Sequence, residues 1–537
     1  MMRKSFFFLL GCTASLLASC ALQVAPTGGV RDEIPPILLS VEPADGSTRF
    51  NASEIVFRFD ENLQLKDVNS KLVISPPLKH VPLVKARKEK LVVTLDDTLL
   101  PNTTYAFNFG DAVADLNEGN SVKDLTYVIS TGDIIDTLVV NGSVVRSENL
   151  VPEKSMLVLL HPATADDSAI YRDRPRYFTR TRDDGSFKIT NVAPGNYRIY
   201  ALMDHNDNYV LDDPSERIAF LSQAVEPSNI SYELFSFQKE LLPALTKASN
   251  DGPGKINIIF NRPFPVVNVS LLSDSTALQV CHRFTSMTSD TLVYWYKNME
   301  ADTASFLLAF QDRVDTVTVQ LMKKQSAMAK KRGFDLDVAV LLDANGVQPP
   351  NRPLVVTCNH PVEKVDTAFV KWQVESAMVP VSEGFLSDSS NLKFTFNTPW
   401  KEEQRYSLRL YPGALVDVYG MMNDTVSVDF SVASVTDYGT VKVTLSGRSV
   451  ASASILQLVS VKDDIIRSFT FNGDTAAYYD FIKPASYRVK LIDDVNGNGK
   501  WDTGDDLKGV QPEKVRYYND PVPVRANWDV EVKWDVK

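Results

Sequence analysis

Cysteine and histidine are scarce in this chain, four and five among 537 residues. The side chains that most often ligate zinc or shuttle protons near neutral pH are therefore in short supply. No Cys-x-x-Cys pair and no Gly-x-Ser-x-Gly elbow occurs, so neither a zinc knuckle nor an esterase-type nucleophile is offered, and no catalytic residues are assigned. Past residue 20 no stretch of 18 apolar residues is found, which excludes a spanning helix there. Positive charge is also short: 56 Lys and Arg against 67 Asp and Glu leave −11, a poor basis for general nucleic-acid binding. Helical periodicity is almost absent. What remains is a chain with 44% hydrophobic and 23% charged residues, a balance that fits soluble globular domains and excludes disorder. At roughly 150 residues per domain the length predicts three to four domains, and more if they are small β modules.

Residues 1–20, MMRKSFFFLLGCTASLLASC, read as a targeting segment. Arg3 and Lys4 supply a short positive region, and the apolar stretch from Phe6 to Leu17 is too short to span a bilayer comfortably. Leu17-Ala18-Ser19-Cys20 resembles the bacterial lipobox, in which small residues admit the chain to a peptidase cleft and the Cys thiol takes the lipid. Cys20 is thus the expected lipidation site, 1–19 a lipoprotein signal peptide and 20–34 a flexible tether through Ala25-Pro26-Thr27-Gly28-Gly29. Acyl chains on Cys20 would be the membrane anchor, at about 0.8 kcal/mol per buried methylene. Ala21 stands where an inner-membrane retention signal has Asp, and Leu22-Gln23-Val24 lacks an acidic export cluster. The expectation is an outer-membrane lipoprotein, on the periplasmic face in preference to the cell surface.

Strand-like text fills the rest. Glu54–Phe59, Leu91–Leu95 and Tyr105–Phe109 alternate with period two and are rich in β-branched and aromatic residues, with turn clusters such as Asp45-Gly46-Ser47 between such runs. The predicted fold class is all-β, a tandem of sandwiches. Residues 35–133 carry Val41-Glu42-Pro43-Ala44-Asp45-Gly46, then Phe57-Arg58-Phe59-Asp60-Glu61, then Leu100 to Tyr105, then Asp115 with Gly119-Asn120. This text resembles the bacterial Ig-like domain of surface-layer proteins (SbsA type), which implies a sandwich without catalytic residues. Weaker echoes follow. Ile256 to Pro263 repeats the strand ending at Asp60, and Tyr406 to Gly420 repeats Tyr105 to Gly119, giving expected Ig-like sandwiches at 236–332 and 333–435.

A second module recurs at an offset of 290 residues. Pro194, Tyr197, Arg198, Asp204, Asn206, Asn208 and Asp212 match Pro484, Tyr487, Arg488, Asp494, Asn496, Asn498 and Asp502. Around the first copy, Asp183 to Phe187 and Val192 to Arg198 resemble a transthyretin-like, carboxypeptidase-regulatory-type sandwich. The expected segments are 134–235 and 436–537.

Each copy carries an acidic loop. In the second, side-chain oxygens of Asp494, Asn496, Asn498, Asp502 and Asp505 fall at positions 1, 3, 5, 9 and 12, with the Lys500 carbonyl at position 7 and Gly499 at the sharp turn. The ligand order resembles an EF-hand or dockerin loop, and wraps hard oxygens around one point as structural calcium requires. Asp506 could replace Asp505. The first copy keeps Asp204, Asn206, Asn208, Val210 (carbonyl) and Asp212, but Tyr209 replaces the turn glycine and Asp213 or Glu216 must close the shell. Without an ion, either loop is an Asx-rich hairpin. Cys281-His282 and Cys358-Asn359-His360 lack metal-ligand spacing and read as strand residues, with a disulfide between Cys281 and Cys358 left open. The basic cluster Lys323-Lys324 and Lys330-Lys331-Arg332 reads as a solvated face or linker, with a site for an anionic lipid, glycan or protein partner as the alternative.

Whole-chain order resembles Gram-negative envelope lipoproteins with Ig-like domains, a class that implies no enzymatic activity. The leading expectation is a non-enzymatic binding or scaffolding rod with a protein or glycan partner and no nucleic-acid role. The alternatives are a surface adhesin or glycan-binding accessory, with Trp400 or Trp501 stacking on sugars, and an enzyme with an unrecognised site.

Overall fold

The computed structural model describes residues 32–536, apart from 253, 264–267, 273–279, 286–289, 298–301, 322–334, 344–345, 380–384 and 397. Residues 1–31, Cys20 among them, and the basic cluster at 323–332 lie outside the described residues. Strands hold 51% of residues and helices 3%, so the expected all-β class is met. Among the described residues the α-helical element is the single turn Val68–Lys71.

The chain divides into two compact units. The first comprises the described residues up to Val144 with Pro152–Leu211 and Ala219–Leu234; the second comprises Val145–Val151, Asp212–Ile218 and the residues from Phe235 on.

The described residues of the first unit include two cores. Glu54–Phe59 buries Ile55, Phe57 and Phe59 and turns Glu54 and Arg58 to water, as period-two alternation demands of a half-buried strand. It pairs antiparallel with Leu38–Glu42 on one side and Lys90–Thr94 on the other, within a four-stranded sheet. A three-stranded sheet of Val73–Ser75, Thr104–Asn108 and Thr126–Ser130 contributes Tyr105, Phe107, Tyr127 and Ile129 to the same core. Phe57 meets Phe109 and Tyr127 edge to face, with ring centres 5.4 Å apart in both pairs. The second core joins Leu157–Pro162, paired with Tyr177–Arg180 and Tyr197–Leu202, to Leu138–Arg146, paired with Ser186–Val192. Gly142 is required there. A Cβ at that position would stand 1.9 Å from the Tyr232 carbonyl oxygen and 2.8 Å from the Phe187 ring.

The described residues of the second unit include three further cores. One gathers Ile256, Ile258, Tyr294, Tyr296, Phe306 and Leu308; another gathers Leu354, Val356, Trp372, Phe394, Tyr406 and Leu408; the last gathers Val441, Val443, Leu456, Tyr479, Val489 and Leu491. In the last, Gly439–Ser446 pairs antiparallel with Thr475–Ile482 and parallel with Asp529–Asp535.

Tyrosines pin strand starts in two ways. Leu100 N–H donates to the Tyr105 hydroxyl at 2.9 Å, and Lys401 N–H donates to the Tyr406 hydroxyl at 3.0 Å, the same five-residue relation. In the other pair, the Tyr197 hydroxyl donates to the Ala193 carbonyl and the Tyr487 hydroxyl to the Lys483 carbonyl, both four residues back. A buried aspartate recurs as well. Asp115 accepts from the N–H groups of Glu118, Gly119 and Asn120, and Asp417 from those of Tyr419 and Met421. Burial opposes the Asp115 charge, yet the N–H donors outweigh it and hold the carboxyl below its usual range.

His161, in Leu157–Pro162, is 1% exposed and meets the Tyr200 ring edge-on at 5.9 Å. Its Nε2 has no hydrogen-bond partner among the described residues. Burial pushes this imidazole down to about 4. The folded chain therefore holds it neutral while the unfolded chain, near 6.5, takes a proton first. The stabilisation is fully present above pH 6.5 and drains as pH falls towards 4, by up to about 1.4 kcal/mol per pH unit. Chemical unfolding of the full chain between pH 7 and 4.5 should show this slope, and His161→Phe should remove it. A variant with an unchanged slope would place the acid sensitivity elsewhere.

Candidate functional site

The strand Ala485–Asp494 delivers Asp494 to the mouth of the second acidic loop, where it is 2% exposed. Its Oδ1 accepts from Asn498 N–H at 3.0 Å and its Oδ2 from Gly499 N–H at 2.9 Å, so one carboxylate folds the chain back on itself. Asn496 Oδ1 accepts from Asn498 N–H, and Asn498 Oδ1 from Lys500 N–H. The two carboxamide nitrogens converge on Asp502 Oδ2, at 2.6 and 2.7 Å. Asp494, Asn496, Asn498 and Asp502 are thus linked by hydrogen bonds, and Lys500 joins them through its N–H.

Asp505 does not join them. It pairs with Lys508 at 2.7 Å, whose ammonium holds the carboxyl below its usual range. Asp506, the alternative, pairs with Lys239. The carboxylate that closes the loop is Glu513, 7% exposed, whose oxygens accept from Val495 N–H at 2.7 Å and Asp502 N–H at 3.0 Å. Burial, with Asp502 and Asp494 nearby, pushes Glu513 above the usual carboxylate range against the pull of those N–H groups. Glu513 follows no metal-loop spacing, which is why pattern reading passes over it.

The first loop repeats this wiring. Asp204 Oδ1 accepts from Asn206 and Asn208 N–H and its Oδ2 from Tyr209 N–H at 2.7 Å. Asn206 Oδ1 accepts from Asn208 N–H, and Asn208 Oδ1 from Val210 N–H. Downstream, Glu216 Oε2 accepts from Asp212 and Asp213 N–H, while Asp213 Oδ1 also accepts from Ser215 N–H. Tyr209 has φ of 68° and Asp207 of 58°, where the second copy has Gly499 at 75° and Gly497 at 72°. A non-glycine residue in that region costs roughly 1–2 kcal/mol.

Among the described residues no group of three or more His, Cys, Asp and Glu side chains is arranged to hold a metal ion. Both loops close through Asx hydrogen bonds, and in the second the Asn496 and Asn498 carboxamide nitrogens face Asp502 Oδ2. Turning the Asn496 and Asn498 carboxamides would present oxygen in place of nitrogen beside Asp502.

Elsewhere, Cys358 is a buried free thiol, pushed up to about 12 by burial with Asp417 adding to it. The side chains of Cys281 and His282 lie outside the described residues. His360 Nδ1 lies 2.8 Å from Asp417 Oδ2, both groups buried, a pair that sequence spacing does not reveal. Trp400 packs against Trp372, Tyr406 and Phe430 and donates to the Arg352 carbonyl. Trp501 packs against a small cluster of Ile455, Ile492 and Val515 and donates to the Glu513 carbonyl.

Trp501 makes the second loop observable. Calcium uptake there is expected to change Trp501 emission in the full chain and to raise the melting temperature, with chelator reversing both and Asp494→Ala abolishing both. Identical spectra and melts in calcium and in chelator would leave the loop as a self-closed hairpin.

Solved structures resemble the chain at low identity. The S-layer protein rSbsC(31-844) is 11% identical over 86% of this chain and 65% of its own, with a TM-score of 0.14. This chain thus spans slightly under two thirds of that protein's length. BcpA, the major pilin subunit of Bacillus cereus, is 9% identical over 74% of this chain and 99% of its own, with a TM-score of 0.14. SGBP-B of the Bacteroides ovatus mixed-linkage glucan utilization locus, solved with a mixed-linkage heptasaccharide, is 10% identical over 64% of this chain and 87% of its own, with a TM-score of 0.18. No curated protein matches the sequence. Residues 32–131 match the family model of the bacterial Ig-like domain, the stretch that contains the Tyr105 corner and the buried Asp115.

Proposed function

We propose that this chain is an outer-membrane lipoprotein, anchored through acylated Cys20, whose successive β-sandwiches form a non-enzymatic binding or scaffolding array in the cell envelope. The observation that carries the reading is Leu17-Ala18-Ser19-Cys20 ahead of a Pro/Gly tether and a series of sandwiches, each with a core of its own. A lipid at the head of a tether holds such domains at the membrane while leaving their loops and sheet edges to meet a partner. Ala21 supports the outer membrane, and the lack of an acidic cluster after it supports the periplasmic face. The sandwiches at 134–235 and 436–537 belong in this reading to the transthyretin-like class, supported by the matched Tyr197 and Tyr487 hydrogen bonds and the matched acidic loops. Calcium at Asp494, Asn496, Asn498, Lys500 and Asp502 would stiffen the second of them. The partner is a protein or glycan of the envelope. Trp400 and Trp501 are spent on internal packing and give no support to an adhesin that stacks sugars on either ring.

Cys20→Ala should move the protein from the detergent phase into the soluble periplasmic fraction of fractionated cells. Continued partition of the variant with membranes would overturn the anchor.

A further inference from the structure

Within the first compact unit a cleft of about 380 Å³ lies between the turn-rich stretch Val68–Pro82 and the residues Arg174, Phe178, Arg180, Asp207 and Tyr209. That volume sits at the lower end of the range, about 300–1,000 Å³, in which small-ligand sites fall. One part of the wall is apolar, with Leu72, Leu78 and Val81; another carries Lys79, Arg174 and Arg180. Among the described residues that line it, Asp207 is the single carboxylate. The local sign is therefore positive on a chain whose net charge is −11.

The repeat singles out two of these residues. Asp207 and Tyr209 hold left-handed backbone angles at positions where the second copy has Gly497 and Gly499. A Cβ at Gly497 would meet nothing within 4 Å, and at Gly499 only Thr470 at 3.6 Å, so the second loop folds without side chains at either place. The first loop keeps the strained conformation and turns both side chains to the cleft. Asp207 holds Arg180 Nη2 at 2.8 Å, while Arg180 Nη1 donates to the Ser155 carbonyl. The Tyr209 ring meets Phe178 at 4.9 Å, edge to face, with the Arg174 guanidinium carbon 5.8 Å from the ring centre. Arg174 is itself positioned by the Leu78 and Lys79 carbonyls. Strain of this kind persists where surroundings enforce it, and it clusters at ligand sites. The cavity, its charge and the two strained residues are separate observations with one location.

We propose that this cleft binds a small ring-bearing carboxylate of the uronic-acid class. Arg180, held by its Nη1 on the Ser155 carbonyl, takes the carboxylate through Nη2 in place of Asp207, and the sugar ring lies against Tyr209 and the apolar wall. Asp207 occupies Arg180 in the absence of ligand and competes with the incoming carboxylate. The proposal goes beyond the anchoring and scaffolding role and does not depend on it.

Isothermal titration of the full chain with digalacturonate tests it, with neutral galactobiose and inorganic phosphate as the other arms. Saturable binding of digalacturonate alone is expected. Arg180→Gln and Tyr209→Gly should each weaken it by about tenfold or more. Asp207→Gly should tighten it several-fold, because the internal competitor is gone. That last sign is opposite to the effect of a pair kept only for stability. Asp207→Gly and Tyr209→Gly install the residue already present in the second loop, and circular dichroism checks each fold. If Tyr209→Gly proves unfolded, the Arg180 and Asp207 variants decide. Failure to bind digalacturonate, equal binding of galactobiose or phosphate, or an Asp207→Gly variant with unchanged or weaker binding would overturn the proposal.

Discussion

Every sandwich in this chain depends on one constraint: a strand buried on one face must put an apolar side chain at every second position. Glu54–Phe59 obeys it with Ile55, Phe57 and Phe59 inside, and Gly439–Ser446 with Val441, Val443 and Leu445 inside. Shifting either strand by one residue would send the whole apolar set to solvent, so the pattern fixes register as well as face. Each core draws on a stretch of roughly a hundred residues, near the size at which a single small core suffices for independent stability. A series of such cores allows length without any one core having to grow.

The side chains that pin these sheets are polar and local. A tyrosine hydroxyl reaches back four or five residues to the backbone at Leu100, Lys401, Ala193 and Lys483. Buried aspartates at 115 and 417 gather the N–H groups of the turns that follow them. Such groups are costly to bury unless satisfied, and satisfied they admit few alternative turn geometries. This is the physical content of the text shared between Tyr105–Gly119 and Tyr406–Gly420.

Local features of this sort are legible in the sequence. Alternation and the Asx loop each lie within a dozen residues, and each has a composition that forces its geometry. What was not legible depends on distance along the chain. Glu513 closes the second loop from eleven residues beyond Asp502, through backbone N–H groups that carry no residue signature. The parallel pairing of Gly439–Ser446 with Asp529–Asp535 joins the two ends of the last sandwich, and alternation alone cannot choose between partners. His360 and Asp417 meet across 57 residues, and Arg174 meets Leu78 across 96. Asp505 shows the converse failure. Its spacing is right for a twelfth ligand, but Lys508 one turn away offers a closer charge and takes it.

The two acidic loops separate backbone from ligand chemistry. Asp204 and Asp494 make the same hydrogen bonds to the residues four and five places on, although one loop has Tyr209 at the tight turn and the other Gly499. The first aspartate and the two asparagines therefore make the same turn hydrogen bonds whether or not glycine stands at the tight position. Once the backbone is secured in this way, the outward positions are free to diverge. In one copy they became glycine. In the other they carry Asp207 and Tyr209, at a conformational cost that the hydrogen bonds of Asp204 are sufficient to hold in place.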